Sequence, residues 1–88
     1  MNDIEKTLKE RGKNYGEFID NATIAQNIKS AMRSVPNWWH LTYDKQECLE
    51  MLAVKISRIL NCNSEHYDSW HDMIGYITLV MENLKQEK

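Results

Sequence analysis

Apolar positions recur at steps of three and four along most of the chain. That is the period of an amphipathic helix, and no segment shows the strict alternation of a strand. A short helix is predicted from about Asp3 to Arg11, with Asn2 and Glu5 spaced as a capping box and Gly12 as its stop. A second runs from about Glu17 to Ser34, its apolar face formed by Phe18, Ala22, Ala25, Ile28 and Met32. Val35-Pro36 ends it, because a residue before proline is pushed out of the helical region. The loop Asn37-Trp38-Trp39-His40-Leu41 follows, and at least one of its two adjacent indoles is expected on the core.

A third helix is predicted from an N-cap at Thr42 to Leu60 or Asn61, with Leu49, Leu52, Ala53, Ile56, Ile59 and Leu60 on one broad apolar face. Asn61-Cys62-Asn63-Ser64 reads as a turn, with Ser64 as a cap. The last helix covers about Glu65 to Leu84, with Trp70, Met73, Ile74, Ile77, Val80 or Met81, and Leu84 as its core stripe. Gly75 in mid-helix costs about 1 kcal/mol against Ala, which suggests close approach of a backbone or ligand there. Residues 85–88 are polar and expected to fray. The fold class is all-α: a small bundle of one short and three longer helices in a single domain, 1–88.

With 88 residues, such a bundle buries only about 60–65% of the surface its unfolded chain exposes. The broad apolar face of the third helix and Trp38-Trp39 therefore imply completion by a homo-oligomer. The 42% hydrophobic content excludes disorder, and charges interrupt every apolar run, which excludes a membrane span. No targeting segment is evident, so a cytoplasmic location is expected. A net charge of −2 argues against broad nucleic-acid binding, though not against a local basic patch. Cys48 and Cys62 do not make a disulfide framework and read as small hydrophobes.

Two groups of residues have chemistry to offer. Glu47 and Glu50 share one helix face, and Asp68 and Asp72 share a face of the next. Together they are candidate ligands for a hard cation such as Mg²⁺. A length count gives an alternative. In a simple hairpin Glu50 stands roughly 16 Å from the turn, Asp72 roughly 10 Å and Asp68 roughly 4 Å. Lys55 and Arg58 lie closer in level, so the cross-helix pairs Lys55–Asp72 and Arg58–Asp68 are the natural alternative. The second group is Arg11-Gly12-Lys13-Asn14-Tyr15-Gly16, where Arg11, Lys13 and Tyr15 flank glycines. Such a loop lets cations approach a phosphate and an aromatic stack on a base; otherwise it is a helix stop with solvated charges. Cys62, His66, His71 and Asp72 match no strong zinc spacing.

The Arg11–Gly16 block, read with Lys55-Ile56-Ser57-Arg58-Ile59-Leu60 and His66-Tyr67-Asp68-Ser69-Trp70-His71-Asp72-Met73-Ile74-Gly75-Tyr76, resembles a family of small bacteriophage and prophage proteins without an established activity. More distantly, the layout is similar to the all-α nucleoside triphosphate pyrophosphohydrolases of the MazG and dimeric dUTPase type. That resemblance implies Mg²⁺ held by Glu47, Glu50 and Asp72, with Asp68 as a further ligand or water base alongside Glu50. It implies Lys13, Tyr15, Lys55 and Arg58 as nucleotide contacts, cleavage of a nucleotide to its monophosphate and pyrophosphate, and helices shared between subunits. The chain departs from the superfamily pattern at Ser69, where a Glu is expected. Asp68 is one residue displaced, a rotation of about 100°. The other reading is a non-catalytic phage protein that sequesters a nucleotide signal or inhibits a host or defence protein.

Overall fold

The computed structural model describes residues 2–86, apart from the side chain of Asn14. Among the described residues there are four α-helices: α1 (Asp3–Tyr15), α2 (Phe18–Arg33), α3 (Tyr43–Asn61) and α4 (Tyr67–Gln86). A short 3-10 helix, Pro36–His40, joins α2 to α3. No strand occurs among the described residues. Of the expected frayed tail, 85–86 are helical, and 87–88 lie outside the described residues.

The start of α1 follows the expected chemistry: the Glu5 backbone N–H donates to Asn2 Oδ1 at 2.8 Å. Its end does not. The helix runs through Gly12 and stops at Gly16, whose φ of +77° belongs to glycine. A Cβ on Gly16 would lie 2.5 Å from Asn61 Nδ2, whereas Gly12 has nothing within 4 Å. The stop is thus dictated by the end of α3, 45 residues away in sequence.

The central helix is α3, packed against α2 on one side and α4 on the other. Pro36 stands in the first turn of the 3-10 helix, as the sequence requires. Trp38 is buried there, its carbonyl accepting from Gln46 Nε2 at 3.0 Å, while Trp39 stays exposed. The Arg33–Glu50 ion pair ties the end of α2 to α3, and Lys55 Nζ meets Asp72 Oδ2 at 2.7 Å between α3 and α4. Asn83 Nδ2 donates to Asp44 Oδ2 at 3.2 Å at the far end of the same hairpin.

The buried hydrophobic side chains are few and mostly small: Ala25, Trp38, Cys48, Ala53 and Ile59. On α4 the structure corrects the expected core stripe. The residues turned inward are Ser69, Met73, Tyr76 and Val80, while Trp70, Ile74, Ile77, Met81 and Leu84 are exposed. Small Ser69, only 2% exposed, lets the helices approach at this end. Gly75 is exposed with nothing within 4 Å, so the expected close approach is not made by this chain.

Candidate functional site

The two blocks singled out in the sequence meet at one end of the molecule. Asn61 Nδ2 donates to the Tyr15 and Glu17 carbonyls, each at 3.3 Å, and Asn21 Nδ2 also reaches Tyr15 O. Cys62 Sγ donates to the Lys13 carbonyl at 3.3 Å. The Arg58 guanidinium lies over the Tyr15 ring, 4.6 Å from its centroid, and His66 meets the same ring edge-on at 5.3 Å. These contacts fasten the C-terminal end of α1 to the end of α3. The rest of α1 is exposed along its length, and a cavity lies between it, α2 and α3.

The cavity has a volume of about 980 Å³ and is bounded by α1, α2 and α3. Ala22 and Ala25 of α2 and Val54 and Ser57 of α3 form its floor, and their small side chains leave the space. Charge gathers at the walls. Lys9, Arg11, Lys13, Lys29 and Arg58 line it against a single carboxylate, Glu17. Five of the 11 Lys and Arg of an acidic chain thus surround one cavity. Clustered positive charge in a low-dielectric cleft concentrates anions. Phe18, 83% exposed, stands among the lining residues.

Of the residues expected to contact a nucleotide, Lys13, Tyr15 and Arg58 converge on this cavity. Lys55 does not: it is 8% exposed and pairs with Asp72 on the α4 side of α3. One face of Tyr15 is taken by Arg58, so the freer aromatic is Phe18, which the periodicity had assigned to the core. Lys9, Lys29 and Gln26 also line the cavity and were not anticipated. The signal for Gln26 and Lys29 was the row Ala22, Ala25, Gln26, Lys29 on α2, small residues ending in a cation on one helical face; Lys9, on α1, had none.

The carboxylates are dispersed. Glu50 is engaged by Arg33 of α2, and Asp72 by Lys55. The hydrogen bond and charge of Lys55 hold the Asp72 carboxyl below its ordinary value. Glu47 and Asp68 are exposed and make no ion pair among the described residues. The alternative pairing Arg58–Asp68 is not formed, because Arg58 is drawn to Tyr15. Among the described residues no three His, Cys, Asp or Glu side chains gather where they could hold a metal ion. Within one chain, then, Glu47, Glu50, Asp68 and Asp72 do not fit a shared Mg²⁺. Each of Glu50 and Asp72 would have to give up a cation that already neutralises it.

No helix among the described residues is long and apolar enough to cross a membrane. No curated protein and no solved structure matches the chain. A family model described as a domain of unknown function, DUF6378, matches residues 1–84, the stretch that holds both interlocking blocks, and the chain therefore belongs to that family.

Proposed function

We propose that this protein binds a nucleotide in the cavity between α1, α2 and α3. The observation that carries the reading is the convergence of Lys9, Arg11, Lys13, Lys29 and Arg58 on one cavity beside an exposed aromatic, Phe18. A triphosphate supplies the negative charge those cations lack, and a base supplies a π-face for Phe18. The volume of about 980 Å³ is at the upper end of small-molecule sites. On the resemblance to phage and prophage proteins, the reading is of a protein that sequesters a nucleotide in the cytoplasm of a host cell.

Mg²⁺-dependent pyrophosphate release is the second reading. It is favoured by Glu47, which lies exposed one turn before Glu50 on α3. It requires the Arg33 and Lys55 pairs to open, or carboxylates from another copy.

The test is isothermal titration of the purified chain with nucleoside mono-, di- and triphosphates, with and without EDTA. The expected result is EDTA-insensitive binding that strengthens with phosphate number, weakens with salt, and falls at least tenfold in the double variant Lys13→Glu/Lys29→Glu. An unchanged affinity in that variant, or no binding by any nucleotide, overturns the proposal. Pyrophosphate release that needs Mg²⁺ and disappears in Glu47→Gln would establish the second reading instead.

A further inference from the structure

The most apolar face of α4 is turned away from its own chain. Tyr67, Trp70, Ile74, Ile77, Met81 and Leu84 are all exposed, Trp70 at 50% and Ile74 at 66%. Their spacing is three, four, three, four, three. That is an unbroken heptad seam, the pattern by which one helix packs lengthwise on another. It extends about 26 Å at 1.5 Å per residue. The inward-facing row Ser69, Met73, Tyr76 and Val80 lies beside it and already serves α3. The helix therefore carries two packing stripes, and only the less apolar one is used within the chain.

Helix α3 extends the same surface. Leu49, Ile56 and Leu60 are exposed, and at 100° per residue they lie about 100–140° around α3 from Lys55. The α4 seam lies about 120–220° around its own helix from Asp72. Because Lys55 and Asp72 pair across the hairpin, both apolar rows fall on the side opposite that pair. The antiparallel level set by that pair puts Leu60 beside Tyr67, Ile56 beside Trp70 and Ile74, and Leu49 beside Ile77 and Met81. The two rows form one continuous strip.

We infer that this strip is the interface for a second copy of the chain, which would make a four-helix bundle of two α3–α4 hairpins. The area agrees. Scaled to large side chains of about 150–250 Å², these nine residues expose on the order of 900 Å² per chain. A standard interface needs about 800 Å² from each partner, and a stable monomer rarely leaves a patch of that size in water. A self-complementary strip is also what a twofold dimer requires. The cavity of α1, α2 and α3 lies on other faces, so the inference stands or falls separately from nucleotide binding.

The experiment is sedimentation of the full chain over a concentration series, with reductant present because Cys62 is exposed. The expected mass is twice the chain's 10.4 kDa. Ile74→Glu/Ile77→Glu should sediment as a monomer with its helical circular dichroism retained, since both side chains face solvent in the single chain. Leu79→Glu, exposed on the opposite side of α4, should remain dimeric. A monomeric wild type overturns the inference whatever the variants do. So does a dimer that survives Ile74→Glu/Ile77→Glu.

Discussion

Replacing Gly16 by Ala sets a methyl group 2.5 Å from Asn61 Nδ2 and 3.3 Å from Cys62 Cβ. Asn61 must move, and its two bonds to the Tyr15 and Glu17 carbonyls go with it. Each such bond is worth about 0.5–1.5 kcal/mol. The backbone adds its own cost. With φ +77° and ψ −166°, Gly16 occupies a region essentially closed to other residues, at about 1–3 kcal/mol. The expected loss is therefore about 4 kcal/mol, against a total of about 4–13 kcal/mol for a domain of this length. Thermal unfolding should fall by about 15–30 °C. The same substitution at Gly12 or Gly75 should have the opposite sign. Both are helical with nothing within 4 Å, so Ala should add about 0.5–1 kcal/mol. Urea unfolding of the three variants at one fixed protein concentration is the assay. A loss below about 1 kcal/mol in Gly16→Ala, or a loss in both other variants, would refute the account of how α1 is fastened.

Other expectations follow from the ion pairs and the thiols. Asp72 is held below its ordinary carboxyl value, first by the hydrogen bond from Lys55 and then by that cation's charge. A depressed folded value means that the stabilisation is complete above about pH 4 and is lost as pH falls through the lower folded value. Asp72→Asn should therefore be less stable than wild type by a constant margin from pH 7 to about 4, narrowing only below; denaturation midpoints at pH 7, 5 and 3 check this. Lys55→Met should cost much less than Asp72→Asn, because it removes a buried charge together with its need for a partner, whereas Asp72→Asn leaves that charge in place. A larger loss in Lys55→Met would refute that ordering. Burial, and then the charge of Asp44, push the Cys48 thiol up, while Cys62 is exposed. Iodoacetamide should label Cys62 in the native protein and Cys48 only after denaturation, as mass spectrometry would show; equal labelling would contradict the packing of α3.

The positions of the four helices were legible because helical periodicity acts locally; of the expected caps Asn2 makes its hydrogen bond, whereas Thr42 makes none with its side chain and α4 starts at Tyr67, beyond Ser64. The Lys55–Asp72 pair was legible too, since a helical hairpin allows levels to be counted from the turn. The misreadings share one cause: a distant segment decided between locally equivalent options. Gly12 and Gly16 are both acceptable helix stops, and only Asn61, arriving from the end of α3, selects Gly16. Periodicity finds the apolar stripe of α4 without revealing whether its partner belongs to the same chain. Phe18 fell into the α2 stripe by spacing, yet as the first residue of that helix it stands 83% exposed. The cavity was half legible: Lys13, Tyr15 and Arg58 were singled out, but Lys9 and Lys29 join them only through the placement of α1 relative to α2, which periodicity does not give.

The central claim is that the five cations of the α1–α2–α3 cavity bind nucleotide phosphates. Titration of a nucleoside triphosphate into wild type and into Lys13→Glu/Lys29→Glu, in EDTA and at two salt concentrations, tests it most directly. The account predicts binding to wild type that weakens with salt and falls at least tenfold in the variant. Equal affinities for the two proteins, or no heat from either, would contradict it.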